Sequence, residues 1–431
     1  MKNWERFVVT EYTKNNELIK EISKKAGVPR SQSRELLLKV SNRVSGILGL
    51  KLSPVSINGE LTQFQNFSGL LILAPGLELE VAPKFLGEVK GWREDFFFLA
   101  MLSQHGRLID NENLRSGSQK NSDMSTLIGR SLVDMYWRNQ RRPLKSYRRF
   151  NQTDFALEGD FDPEDLLIPS AEGFHQVVTS FSRSNPYNAI IRAAAEQLVP
   201  LVSDSDTRAR LERVIQHLPH QLVPSRLRNQ KLPSRARSWR PVYDLSLDIL
   251  QGLSGSYDPK NAIAPGFAMQ TWQVWEFLVT ISLRSAFGGK NVLTQGKKKL
   301  GDRFSNSKSS ILNVCPDVQL NIPTEQGNRK VIVDAKYKGH VEYKTLSVSN
   351  SDIYEALAFS RASSIKDIVL VYPRKFSLTD AYKHEVGNST EFTEIIVGDI
   401  KIRAFELGVC GISKKGGLKK FINALSAAVS S

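Results

Sequence analysis

The segment VIVDAKYK, residues 331–338, sets a carboxylate and an ammonium two residues apart inside an apolar run. Side chains alternate along a strand, so Ile332, Asp334, Lys336 and Lys338 share one face and Val331, Val333, Ala335 and Tyr337 share the other. Upstream, Asp317 lies in VCPDVQL, which reads as a second apolar strand, and NIPTEQGNR can turn the chain between the two. Paired as a hairpin, these strands bring Asp317 to Asp334. Two carboxylates and a lysine are the set that metal-assisted phosphodiester hydrolysis needs. The acids offer hard oxygen donors to Mg²⁺, with Mn²⁺ as an alternative. Such an ion polarises the phosphate and lowers the pKa of water. The lysine can orient that water or offset charge building on the phosphate. The same D-x-K pattern on a strand is more often a salt bridge or an edge-strand charge. The second acid in a second apolar strand is what favours the catalytic reading.

A third acid lies in MQTWQVWEFLVTISLRSAF, where Glu276 shares a helical face with Trp272, Val279 and Leu283. A glutamate on an apolar stripe is costly unless it is paired or binds a metal. A glutamate at the stripe's edge that reaches solvent or an arginine fits the same spacing. Lys338 and His340 follow the D-x-K motif within reach of a phosphate, although a solvated strand end is the commoner fate of such residues. Cys315, two residues before Asp317, reads as a small buried hydrophobe.

The elements that must hold these residues show in the hydrophobic pattern. Helices are expected over most of 1–50 and at 92–104, 123–140, 187–215, 267–286, 352–363 and 418–429. Strands are expected at Leu70–Leu73 and Leu77–Val81, with Pro75-Gly76 as the turn between them, making a small β-rich module. SSILNVCPDVQLNI and RKVIVDAKYKG read as strands, DIVLVYP as a buried strand, and TEIIVGDIKIRAFEL as two more. The last third therefore reads as an α/β core, with SGSYDPKNAIAPG (254–266) as the loop before it.

Two basic stretches lie outside that core. YWRNQRRPLKSYRRF (136–150) mixes Arg138, Arg141, Arg142, Lys145, Arg148 and Arg149 with Tyr136, Trp137 and Tyr147. That mixture suits a nucleic-acid backbone with aromatics free to stack on bases, or a solvated helix end whose arginines meet acids elsewhere. The acid-free stretch from Arg226 to Arg240 reads as a linker that can lie on DNA. Phosphate contacts of this kind position a protein without specifying a base. The whole chain of 431 residues carries 59 Lys and Arg against 44 Asp and Glu, a formal net charge of +15. Such an excess draws a protein to polyanions. Two cysteines leave no room for a disulfide framework or a multi-cysteine zinc site. The N-terminus lacks the apolar core of a signal peptide, no apolar run can span a bilayer, and no basic amphipathic helix suits a membrane surface. The cytoplasm of a bacterium or archaeon is the expected location.

In their order and spacing, several segments resemble the McrC family. FSGLLILAPGLELEVAPKF is similar to the family's N-terminal strand pair, which ends in Pro-Lys, and SRSNPYNAIIRAAAEQL to its central helix motif, here with Asn188 and Arg192. LSLDILQGLSG and MQTWQVWEFLV are similar to the segment leading to the glutamate helix. PDVQL and DAKYK resemble the PD-(D/E)xK nuclease signature, and SDIYEALAFSRASSIKDIVLVYP the helix and strand after it. Members of the family are nuclease subunits of methylcytosine-dependent restriction systems and work with a GTP-hydrolysing AAA+ motor, McrB. The resemblance implies that Asp317 and Asp334 bind Mg²⁺, that Lys336 completes the site and that Glu276 is an auxiliary acid. It implies double-stranded DNA and a McrB-like AAA+ GTPase as partners, and no membrane.

The fold so implied is a C-terminal PD-(D/E)xK restriction-endonuclease-like α/β domain over 261–431, a mixed sheet flanked by helices. It follows an α+β module over 1–150, for partner docking or DNA contact, and a mostly helical middle region over 151–260. DNA contacts are expected from Arg138, Arg141, Arg142, Arg148, Arg149 and Lys338. The chain departs from the family pattern at Glu355 and Phe359, where the family has Gln and Tyr, and the segment before Ser53 has no counterpart. It lacks the GxxxxGK[ST] loop, so the motor's nucleotide chemistry must come from elsewhere. Two competing readings remain: a self-sufficient nuclease in phage defence, and a noncatalytic DNA-binding adaptor that keeps the fold.

Overall fold

The computed structural model describes residues 5–74, 77–105, 124–161, 163–166, 170–220, 231–251, 267–305, 308–325, 327–337, 341–342, 345–375 and 383–431. It is a mixed α/β structure that divides into two compact units. One combines Met1–Asn121 with Ala268–Ser431, and the other is Ser122–Phe267. The boundaries expected near residues 150 and 260 do not coincide with these. Local pattern shows where an element ends, but not which distant element it packs on. The 254–266 loop, the Pro75-Gly76 turn, Lys338 and His340 lie outside the described residues.

In the first unit, the N-terminal part is built on a sheet of order Glu5–Thr10, Leu77–Ala82, Ser68–Ala74, Phe267–Met269. The first strand runs parallel to Leu77–Ala82 and the hairpin partner Ser68–Ala74 runs antiparallel to it. A helical reading of residues 1–50 therefore holds only for Leu18–Ala26 and Arg30–Leu48. The run Arg6-Phe7-Val8-Val9 prefers the pleated surface, and its partner strand lies some 70 residues away, beyond any local signal. The strand Leu77–Ala82 is buried along its whole length, including Glu78 and Glu80. Those carboxylates meet arginines, Arg6 at 2.6 Å from Glu78 and Arg93 at 2.7 Å from Glu80, as buried charges must.

The C-terminal part of this unit holds a sheet of order Val292–Thr294, Val318–Thr324, Gly327–Ala335, Asp367–Pro373, Ile400–Leu407, Ser389–Val397. Gly327–Ala335, Asp367–Pro373 and Ile400–Leu407 run parallel, and the outer strands run antiparallel to their neighbours. A parallel step needs a crossover, and the Asn350–Ser363 helix supplies it between Gly327–Ala335 and Asp367–Pro373. Ser349 caps that helix by accepting the Asp352 N–H at 3.2 Å, and Ser364 ends it in a left-handed conformation. Ala356 and Phe359 pack onto Ile332, Ile368, Leu370, Ile402 and Ala404 of the sheet. Each such side chain contributes about 1.5–3 kcal/mol on burial, enough to hold the strands rigid beneath the site. SSILNVCPDVQLNI is two strands rather than one. Lys308–Val314 pairs with Lys298–Ser305 in a separate hairpin, and Val318–Thr324 enters the main sheet.

The second unit contains the helices Met124–Arg138, Pro186–Leu198, Ser205–His217 and Arg240–Gln251. The helical stretch expected over 187–215 is two helices: the first ends at Leu198, and Asp204 caps the next by accepting the Thr207 N–H at 3.1 Å. Gly129 lets two helices approach closely, because a Cβ there would lie 3.1 Å from Val202 and 3.2 Å from Thr207. The region is less purely helical than expected. Ser146–Asp154, Phe174–Ser182 and Asp160–Phe161 form a three-stranded antiparallel sheet. Its first two strands are largely exposed, so the alternation of apolar residues that betrays a half-buried strand is weak.

Candidate active site

The strand register decides where the two aspartates fall. Val318 lies opposite Val333, so Asp317, one residue outside the paired run, stands beside Asp334 at the end of the ladder. Asp317 is not inside a strand, as its apolar flanks suggested; it occupies the short link before Val318. Its Oδ2 accepts the backbone N–H of Ala335 at 2.9 Å. Cys315, in the same link, is exposed rather than buried.

Glu276 comes from the Thr271–Phe287 helix and is half-buried. Trp272, expected on the same buried stripe, is 40% exposed, and Trp275 is the buried ring instead. Gln295 ties Glu276 to the aspartates: its Nε2 donates to Glu276 Oε1 at 3.0 Å and its backbone N–H donates to the Asp317 carbonyl at 3.0 Å. Gln295 is one of four non-glycine residues with positive φ among those described, at φ 48°. Strained backbone of this kind persists where the surroundings over-determine it. Nothing in the sequence singled it out except the following glycine.

Electrostatics bind the acids together. Burial raises Asp317, and the neighbouring Asp334 and Glu276 charges raise it further, to about 8. Asp334, only 3% exposed, is likewise pushed up by burial, against the pull of Lys336. Two carboxyls this close disfavour each other's charged form. Burial alone would lower Lys336, but Asp334 and Glu355 raise it, so it stays an ammonium. Its Nζ lies 2.5 Å from Asp334 Oδ2 and 2.6 Å from Glu355 Oε2, with Asp352 at 4.0 Å. Tyr372 donates to Asp352 at 2.9 Å. Glu355, which departs from the family pattern, thus joins the site through Lys336. Phe359, the other departure, is buried in the core beneath.

The carboxylate oxygens of Asp317, Asp334 and Glu276 are of the type a hard divalent cation takes, and a positive charge near them would offset their mutual repulsion. Among the described residues, no three acidic, histidine or cysteine side chains are gathered as an ion-binding cluster. One Asp334 oxygen is instead met by the Lys336 ammonium.

The other expected residues lie elsewhere. Arg138, Arg141, Arg142, Arg148 and Arg149 are all exposed, and all belong to the second unit. Tyr136 is buried and donates or accepts at His217 Nδ1, 2.7 Å away, so it is not free to stack on a base. Tyr147 and Phe181 are exposed and lie 4.8 Å apart, with Arg235 4.2 Å from the Phe181 ring. The described part of the 226–240 stretch is folded rather than a linker: Trp239 is buried and its Nε1 donates to the Arg142 carbonyl at 2.7 Å. Asn188 and Arg192 are internal ties. Asn188 donates to the Leu144 and Arg183 carbonyls, and Arg192 to those of Ile215 and Leu218.

The mixed sheet, with paired acids and a lysine at a strand end, makes this an α/β protein. The sequence profile of the McrBC 5-methylcytosine restriction system component family matches residues 62–373. The chain belongs to that family, in agreement with its resemblance to McrC. A solved structure described as a refined half-complex from a tetradecameric assembly of Thermococcus gammatolerans McrB AAA+ hexamers with bound McrC shares its fold. The TM-score is 0.69 at 13% identity, over 98% of this chain and 100% of that one. A second, the cryo-EM structure of the Thermococcus gammatolerans McrBC complex, is more distant, with TM-score 0.47, 14% identity, and 65% and 87% coverage. No curated protein matches the chain. Among the described residues, no helix is long and apolar enough to cross a membrane.

Proposed function

We propose that this chain is the DNA-cleaving subunit of a modification-dependent restriction system, a Mg²⁺-dependent endodeoxyribonuclease coupled to a McrB-like AAA+ GTPase. The observation that carries the reading is the convergence of Asp317, Asp334 and Lys336 at one end of adjacent strands, with Glu276 close enough to raise Asp317. Three further features support it. The order of helix Thr271–Phe287, three antiparallel strands, crossover helix and parallel strand is compatible with a PD-(D/E)xK core and supports that reading. The family membership supplies the restriction context. The motor comes from the McrB hexamers that accompany the structural neighbour.

In this reading Asp317 and Asp334 hold the ion, and Glu276 serves as the auxiliary acid. When bound, the ion supplies Lewis acidity toward the phosphate and lowers the pKa of water. Lys336, kept charged by its acids, orients the attacking water and offsets charge that grows on the phosphate oxygens. Glu355 and Asp352 hold that ammonium from the Asn350–Ser363 helix. The exposed arginines of the second unit contact the DNA backbone without reading sequence.

The test is cleavage of methylated and unmethylated plasmid with Mg²⁺ or Mn²⁺, by wild type and Asp334→Ala, each with and without the AAA+ partner and GTP. Cutting by wild type only when partner and GTP are present is the expected result. Cutting without them would favour a self-sufficient nuclease. DNA binding with no cutting under any condition would leave a noncatalytic adaptor.

A further inference from the structure

A second buried charged cluster meets the chain at Tyr337, the residue after Lys336. Glu11, just beyond the Glu5–Thr10 strand, is fully buried. Its carboxylate accepts from the Tyr337 hydroxyl. Lys84, 6% exposed, donates its ammonium to the Tyr337 carbonyl. That ammonium also lies 4.3 Å from the centre of the Tyr337 ring and 5.4 Å from that of Tyr12. The next residue, Phe85, packs against Trp275 at 6.2 Å and Tyr337 at 6.1 Å.

These contacts fall at a mechanical joint. Tyr337 directly follows Lys336. Thr271 opens the helix that carries Glu276, and Trp275 directly precedes that acid. The Val371 carbonyl accepts both Trp275 Nε1 at 3.1 Å and the Lys336 N–H at 2.9 Å. Glu276 and Lys336 therefore come from two elements, a helix and a strand end; the Glu11–Lys84 cluster bonds to the strand end at Tyr337 and reaches the helix through Phe85 on Trp275. We propose that Glu11 and Lys84 are positioning residues of the nuclease site: the Lys84 ammonium on the Tyr337 carbonyl and the Glu11 carboxylate on the Tyr337 hydroxyl, with Phe85 packed between Tyr337 and Trp275, fix Lys336 against the helix that bears Glu276. The inference rests on the nuclease reading above.

Physical chemistry favours this over a role in general stability. Buried charged groups are a poor source of stability, since apolar residues of similar volume usually serve as well or better. Buried hydrogen bonds such as those of Glu11 and Lys84 to Tyr337 do impose one geometry. Catalysis requires that geometry, because a misplacement of about 1 Å can cost about 100-fold in rate. The N-terminal sheet is in this view part of the catalytic scaffold rather than only an appendage.

The experiment uses the full chain, with its AAA+ partner and GTP for cleavage, and two variants, Lys84→Met and Glu11→Gln. The first readout is single-turnover cleavage at saturating DNA, together with the DNA Kd. The second, independent of activity, is amide hydrogen exchange at Ala335 and Lys336 compared with Val331–Val333. Lys84→Met is expected to slow cleavage at least about ten-fold with unchanged Kd. It should also speed exchange at Ala335 and Lys336 while Val331–Val333 stay protected. Should Lys84→Met fail to fold, Glu11→Gln, which keeps the size of the side chain, carries the same two readouts. Wild-type cleavage with native exchange at Lys336 would overturn the proposal, as would faster exchange spread evenly over the strand. If wild type itself never cleaves, the nuclease reading has failed, and a local exchange change still shows that Lys84 holds the strand end.

Discussion

The Asp317 carboxylate accepts the backbone N–H of Ala335 at 2.9 Å, so the first acid is bonded to the strand that carries the second. The bond replaces the ladder hydrogen bond that a longer strand would have made. It fixes Asp317 by backbone register rather than by its own rotamer. The cost is a pair of buried carboxyls that cannot both be charged without a counter-ion, and Lys336 offsets only Asp334 directly.

Asp334→Asn keeps the shape of the side chain and removes its charge. Cleavage of plasmid DNA is expected to fall at least about 100-fold, the scale seen when one group that stabilises developing charge is lost. The melting temperature without metal should hold or rise, because a buried repulsive charge is gone. The two measurements together separate a lost site from a lost fold, and retained cutting would rule out the site.

Asp95 offers a prediction about stability alone. This buried acid accepts the Gly411 N–H at 2.6 Å, the Ser413 N–H at 3.0 Å and the Ser413 hydroxyl at 2.6 Å. It joins the Trp92–His105 helix to the loop before the last helix of the same unit. Asp95→Ala strands two backbone donors and should cost roughly 3 kcal/mol in urea unfolding. The folded fraction should cleave at the normal rate. A loss of rate at equal folded protein would place Asp95 in the chemistry.

Most of the site was legible before the structure because it is local. Asp334 and Lys336 share a strand face by period two, and a hairpin turn was enough to bring Asp317 beside them. The helices 92–104, 352–363 and 418–429 were visible for the same reason, as strong runs with clear ends. What was hidden is non-local. The parallel pairing of Glu5–Thr10 with Leu77–Ala82 leaves no trace in either segment alone. Glu11, Lys84 and Tyr337 are far apart in the chain and become one cluster only in the fold. Glu355 looked like a departure from a family pattern, and its meaning came from the 2.6 Å contact with Lys336.

Glu11 gives the pH dependence a sign. Burial pushes its carboxyl up to about 7 from an ordinary 4.5, against the hydrogen bond from Tyr337 and the attraction of Lys84. Between those values the folded chain binds a proton that the unfolded chain has released. The stability it contributes is complete below the lower value and is lost as the pH rises through the upper one. Urea midpoints should therefore decline from pH about 5 to about 8, and Glu11→Gln should flatten that decline. A slope unchanged in the variant would assign the decline to other buried acids, Asp317 first among them.

Arg148 and Arg149 lie on the exposed Ser146–Asp154 strand beside Tyr147 and Phe150. If they contact phosphates, each releases a counter-ion. The double alanine variant should then lower the slope of log affinity against log salt by up to about 2, with similar weakening for every DNA sequence. Methylated and unmethylated duplexes should weaken alike. An unaltered salt slope would remove this strand from the DNA interface and leave its exposed aromatic face for another partner.

Gln295→Gly should separate stability from activity. At φ 48° glutamine holds a conformation that glycine adopts freely. Relief of that strain is worth on the order of 1 kcal/mol, less the added entropy of the unfolded chain. The same change removes the side chain that donates to Glu276 at 3.0 Å, and Glu276 then loses its tie to the Asp317 segment. The expected result is an equal or higher melting temperature with cleavage slowed about ten-fold, a trade typical of strained active-site residues. Gln295→Ala keeps the strain and loses the bond, so it should be both slower and less stable. If glycine slows nothing, the bond to Glu276 does not serve the reaction, and the strained turn serves only to deliver the chain from Val292–Thr294 toward the Lys298–Ser305 strand.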